Sequence, residues 1–153
     1  MNERFGSVML LPLRLLVGVM LVFSGYQKFT GGWLHGDALL KTLNAWMDAG
    51  KTYHFFLPVI ETARAHPKIF GTLVTAGELV IGATLVLGLL TRVFSFLGML
   101  MLFSFGLGAG QGLSPPGNAL LMGAILFTFV LAPPGRALGI DQALRGRMPS
   151  WMI

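Results

Sequence analysis

The stretch GTLVTAGELVIGATLVLGLLTR, residues 71–92, decides how this chain is to be read. It is long and apolar enough to cross a bilayer core, which takes roughly 20 residues of helix. Yet Glu78 lies well inside it. A charged side chain at the centre of a membrane helix costs roughly 2.5–3.5 kcal/mol on insertion scales. Glu78 must therefore face protein and find a partner.

The composition points the same way. Of 153 residues, 54% are hydrophobic and only 11% charged, where soluble domains carry about 25%. The mean hydropathy is +0.74. Such a chain has too little polar surface to face water all round, and an integral membrane protein is expected. The net charge is +5, but the basic residues stand singly at the ends of apolar segments, where lipid head groups favour them. That placement argues for lipid as the partner and against nucleic acid. There is no cysteine, which removes disulfides, iron–sulfur clusters and thiolate metal sites.

Four segments suit membrane spans: about 7–29, 69–90, 93–110 and 118–133. Lipid cannot satisfy a free backbone amide, so helices are the expected solution. The expected fold is all-α: one domain over 1–153, an integral membrane four-helix bundle. QGLSPPGN (111–118) reads as a turn and APPGR (132–136) as the stop of the last span. The first segment is too long for a signal peptide and is interrupted by Arg14, so a retained helix is expected.

A long, partly helical connection, 31–68, joins the first two spans. It holds Trp33, Trp46, Tyr53 and all three histidines. DALLKTLNAWMDAG (37–50) reads as a short helix with Asp37 as its cap, Gly50 at its end, and Leu39, Leu40, Leu43 and Met47 on one face. It either lies at the membrane surface with its aromatics at head-group level or forms a lid over a site. PVIETARAH (58–66) reads as a second short helix with Pro58 in its first turn, and Pro67 opens the next span. Four spans put both termini on one side. Basic residues are balanced across the two sides. The short 91–92 turn and the basic tail 139–151 favour cytoplasmic termini in a multi-pass cell (inner) membrane protein.

At 100° per residue, Arg14, Gly18, Leu21, Gly25 and Lys28 share a stripe on the first span. Gly71, Thr75, Glu78, Gly82, Leu85 and Leu89 share one on the second, with Arg92 near it. Small residues let such stripes approach closely. The depth of the two charges then predicts an Arg14–Glu78 pair, with Lys28 and Arg92 closing the two ends of a polar seam. The pair either pins helix register or walls a pocket for an anionic or quinone-like ligand. In the second case Arg14 or Lys28 is the donor, with Tyr26 and Gln27 alongside.

No redox carrier is legible in the chain. Haem in a bundle needs histidines at membrane depth, whereas His35, His54 and His66 all lie in the connection. Neither a nucleotide loop nor a recognisable set of metal ligands is evident, and no covalently bound cofactor is expected. His54, His66 and Lys68, together with Lys28 and Arg64, are candidates at the outer mouth for drawing in a small anion; the alternative is that they anchor the chain at the interface.

LPLRLLVGVMLVFSGYQKF (11–29), GTLVTAGELVIGATLVLGLLTR (71–92) and PPGRALGIDQAL (133–144) together resemble the DoxX/DoxD family, in the ordered combination Arg14, Gly25, Lys28, Glu78, Gly82, Arg92 and Asp141. The long 31–68 connection is more similar to the DoxD-type branch. The resemblance implies a four-helix membrane protein. It also implies a DoxD-like subunit of thiosulfate:quinone oxidoreductase, with quinone as the cofactor, a small anionic sulfur compound as substrate and a separate DoxA-like protein as partner. The alternative is a non-catalytic accessory subunit of a larger membrane redox complex, with Gly98, Gly106, Gly108 and Gly123 packing against neighbouring helices. A small-solute transporter is the remaining reading, motivated only by the shared charge-x3-Gly spacing of Arg14/Gly18 and Glu78/Gly82.

Overall fold

The computed structural model describes residues 8–111, 118–136, 139–144 and 149. The chain start, most of the 111–118 turn and most of the basic tail lie outside the described residues. Within them, every regular element is helical. In chain order these are α1 (Leu11–Thr30), a 3-10 turn (Trp33–His35), α2 (Asp37–Asp48), a second such turn (His54–Phe56), α3 (Leu57–Ala65), α4 (Pro67–Leu87), α5 (Thr91–Gly108), α6 (Ala119–Leu131), a 3-10 turn (Pro134–Arg136) and α7 (Ile140–Ala143).

Helices α4 and α5 are long and apolar enough to cross a membrane. Helix α1 matches them in length, with 20 residues, but carries Arg14, Gln27 and Lys28. The expected span 118–133 yields only 13 helical residues. The reason is local. Asn118 caps α6 by accepting from the N–H groups of Leu120 and Leu121, and the Pro133–Pro134 step ends it.

The outward face is apolar, and the interior, apolar for the most part, also holds a set of buried polar and charged side chains. Phe23, Leu73 and Leu131 are 60%, 64% and 63% exposed, while Arg14, Thr75, Glu78, Thr91, Ser95 and Asp141 are buried at 3% or less. Exposed apolar side chains on this scale mark a surface that lipid covers.

The long helices pack as two close pairs, α1 with α4 and α5 with α6, joined through α4 and α5. Glycines set both pairs. A Cβ on Gly82 would stand 2.7 Å from the Gly18 carbonyl oxygen and 2.7 Å from the Val22 backbone nitrogen. On α5 and α6, Gly98 takes Leu126, Gly106 takes Leu120 and Gly123 takes Phe103. Gly108 takes Trp46 of α2, so all four glycines make close contacts inside the molecule. Their bundle core is Val17, Leu21, Ile81, Leu85, Met99, Leu102, Leu126 and Phe129.

The connection folds as a cap with its own small core of Leu39, Leu43, Ile60 and Ala63. Pro58 and Pro67 stand in the first turns of α3 and α4, as their fixed φ suits. Asp37 does not cap α2: Gly36 occupies that position and no side chain completes it. The aromatics divide. Tyr53 and Phe55 are exposed, while Trp33 and Trp46 turn inward onto Phe105 of α5.

Because the atoms facing Gly82 are backbone, the neighbouring helix cannot yield without moving as a whole. Gly82→Leu is expected to destabilise the α1–α4 pair by about 1–3 kcal/mol, the usual cost of overpacking, read as a lowered unfolding midpoint in mixed micelles. Ala83→Leu, on the exposed face of the same helix, is the control and should leave the midpoint in place.

Candidate functional site

Gly18 stands opposite Val86, Gly82 opposite Val22, Gly25 opposite Leu79 and Gly71 opposite Trp33. These contacts are one antiparallel register, and it decides which charges meet. Continued toward the chain start, it puts Arg14 level with Leu90. Arg14 is then about 18 Å from the level of Glu78, some twelve residues at 1.5 Å each. Continued the other way, it brings Lys28 to within two residues of the Glu78 level.

The anticipated Arg14–Glu78 pair therefore does not form. Glu78 is held by Lys28. The ammonium nitrogen lies 2.8 Å from Oε1 and 2.7 Å from Oε2 of Glu78, and 2.8 Å from Ser24 Oγ. A lysine has three N–H donors; two go to the carboxylate and one to the serine. The side chains of Lys28 and Glu78 are 16% and 4% exposed. The ammonium also sits 5.2 Å from the Trp33 ring centroid and 5.5 Å from that of Phe105, close enough for cation–π attraction.

The seam expected to run continuously is split into two clusters at opposite ends of α1. At the far end, Arg14 donates to the Pro134 carbonyl at 3.3 Å. Arg92 Nε donates to the Val130 carbonyl at 2.8 Å. Asp141, wholly buried, accepts from Leu90 N at 2.6 Å and Thr91 N at 2.9 Å, and also from the Thr91 hydroxyl. This cluster ties the α4–α5 turn to the segment after α6.

The Lys28 cluster faces open space. A cavity of about 380 Å³ lies between α1 and the α5–α6 pair. Ser24, Gln27, Lys28, Glu78 and Gln111 supply its polar lining, and Phe23, Trp46, Leu102, Phe105 and Met122 much of the rest. Trp46 comes from α2, so the cap closes one side of the cavity. A second cavity of about 320 Å³, almost wholly apolar, lies beneath α2 and α3 and shares the Trp46 and Phe105 walls. Of the other predicted positions, Tyr26 is 59% exposed and lines neither cavity. His54, His66 and Lys68 are exposed on the cap side and line neither. Ser24 and Gln111 carry neither charge nor motif that marks them in the sequence. The i, i+4 spacing of Ser24 and Lys28 was the available signal for the first; the second depends on how the end of α5 meets α6.

A DoxX family model matches residues 9–107. The chain belongs to the DoxX family. The matched region holds α1 to α5 with the connection between them, and so contains both members of the Lys28–Glu78 pair, their aromatic neighbours and most of the cavity wall. Family membership and the two apolar helices mark this DoxX protein as a membrane protein. No curated protein and no solved structure matches the chain.

Proposed function

We propose that this DoxX-family protein is a DoxD-like subunit of a membrane oxidoreductase, in which the Lys28–Glu78 cavity binds a quinone head group while a small anionic sulfur compound supplies electrons. The observation that carries the reading is a buried ion pair opening into a cavity of quinone size among aromatic walls. Ligand pockets are usually about 300–1,000 Å³, mostly apolar with a few placed polar groups, and this one fits that description. Its mouth suits a ligand arriving from lipid: Met20 and Phe23 line it and are 43% and 60% exposed.

In this reading α1, α4, α5 and α6 form a four-helix transmembrane bundle of the cell membrane, with cytoplasmic termini. The cap of α2 and α3 lies on the opposite side. A DoxA-like protein or a larger redox complex is the partner on which the sulfur chemistry depends. His54, His66 and Lys68, exposed on the cap side, are the proposed attractors of the anion.

A short-chain quinone added to purified protein should quench tryptophan fluorescence saturably, and Trp46→Phe should remove most of the quenching. Met122→Trp, which places bulk in the cavity, should weaken quinone binding about tenfold or more, the change that 1.4 kcal/mol brings. In membranes it should lower thiosulfate-dependent quinone reduction in step. A folded preparation that shows no saturable quenching would remove the basis of the proposal.

A further inference from the structure

Resting on the quinone reading, we infer that the cavity selects by charge: it accepts a neutral head group with two hydrogen-bond acceptors and rejects the sulfur anion, which must be oxidised elsewhere. Lys28 is the cation in the cavity wall, and its charge is cancelled by a carboxylate that touches it with both oxygens. All three ammonium donors are engaged. An anion entering would meet a neutralised lysine, an aromatic and aliphatic lining, and Glu78 at close range. Burying a charge without a partner is strongly unfavourable, and a divalent oxyanion is affected more.

The remaining donors are neutral. Ser24 Oγ accepts from Lys28, which leaves its own O–H to give and polarises it. Gln111 Oε1 accepts from the Ala119 N–H, which leaves its amide N–H groups to give. Both residues line the cavity, one from α1 and one from beyond the end of α5. A quinone presents two carbonyl acceptors at opposite ends of a planar ring, which is the complement of two neutral donors on separate walls. The donor to quinone is then Ser24 rather than Lys28; the lysine acts through the serine as a positioning residue.

The same geometry predicts how to reverse the selection. Removing the carboxylate charge, or adding a cation at the mouth, should turn the cavity into an anion site. The test uses full-length protein in detergent, with a short-chain quinone and millimolar thiosulfate as probes and sulfate as a non-reducing control. In wild type, thiosulfate and sulfate should leave the quinone Kd unchanged and should not raise the Tm. In Glu78→Gln, both anions should raise the Tm and raise the apparent quinone Kd about tenfold, as a competing ligand does. Gln27→Lys, on an exposed position at the mouth that leaves the ion pair intact, should gain the same sensitivity even if Glu78→Gln does not fold. Ser24→Ala should weaken quinone binding, while Ser24→Thr, which keeps the hydroxyl, should hold it. Competition by thiosulfate in wild type, or no gained anion sensitivity in the folded variants, overturns the inference. The Tm arm needs no quinone, so its result stands whether or not the quinone reading itself survives.

Discussion

Replacing Lys28 by Met alone is expected to cost about 3–5 kcal/mol of stability, the penalty for stranding one member of a buried ion pair. Methionine keeps most of the stem that packs toward Trp33 and Phe105, so lost contact area is a small part of the effect. What changes is that Glu78, 3% exposed on α4, loses its cation. Glu78 must then take up a proton, draw water in, or force α1 and α4 apart. Removing both charges removes the cause. Lys28→Met with Glu78→Leu should lie within about 1–2 kcal/mol of wild type or above it, since well-packed apolar residues often replace buried pairs without loss. The check is the unfolding midpoint of the two singles and the double in mixed micelles. If the double variant falls as far as the sum of the singles, the pair is not what couples these positions.

This contrast also separates stability from function. A pair kept only to fix helix register can be exchanged for apolar residues and the protein will go on working. A pair that polarises Ser24 cannot. The double variant should therefore fold well and yet bind quinone more weakly than wild type. That outcome has a structural origin in the single hydrogen bond from Lys28 to Ser24.

The sequence made the buried charges legible but not their pairing. Arg14, Lys28, Glu78 and Arg92 were evident because charge inside an apolar run is costly and must be answered. Helical period then placed them on the right stripes. The pairing turns on register, and register depends on where the chain reverses. Taking the first span to end near residue 29 brings Arg14 close to Glu78. In fact the turn that reverses the chain extends through Trp33, whose carbonyl oxygen meets the Gly71 position on α4. The register shifts by several residues and Lys28 takes the carboxylate. Only the glycine contacts fix that shift, and a glycine in sequence does not say which backbone it admits. The cap helices were legible from Pro58, Pro67 and the leucine face of α2. The inward turn of Trp33 and Trp46 was not, because an aromatic belt and an aromatic wall have the same composition.

The second large effect is expected at Asp141, which lies beyond the family-matched residues 9–107 yet holds their most constrained turn. Between α4 and α5 the chain passes through two left-handed residues, Gly88 at φ 67 and Leu90 at φ 46. For a residue with a Cβ that conformation costs roughly 1–2 kcal/mol. It also leaves the first N–H groups of α5 without partners within the helix. No side chain of the turn itself caps α5. Asp141 reaches in from α7 and takes the N–H groups of Leu90 and Thr91 and the Thr91 hydroxyl, while its own N–H bonds the Gly88 carbonyl at 2.9 Å. Its negative charge at the start of α5 is favoured by the helix dipole as well. Since hydrogen bonds to a charged group are each worth about 1.5–3 kcal/mol, Asp141→Ala should cost about 3 kcal/mol or more. Asp141→Asn, which keeps an acceptor but not the charge, should cost less. Thr91→Val, which removes the hydroxyl bond alone, should cost about 1–3 kcal/mol. Hydrogen exchange locates the effect: protection of the Leu90 and Thr91 amides should collapse in Asp141→Ala and persist in Thr91→Val. Quinone quenching of Trp46 in folded Asp141→Ala should be retained, because the cluster stands at the opposite end of α1 from Lys28. Loss of quinone binding in a folded Asp141→Ala would mean that the two ends of the bundle are coupled, and the division of the polar residues into one latch and one site would have to be given up.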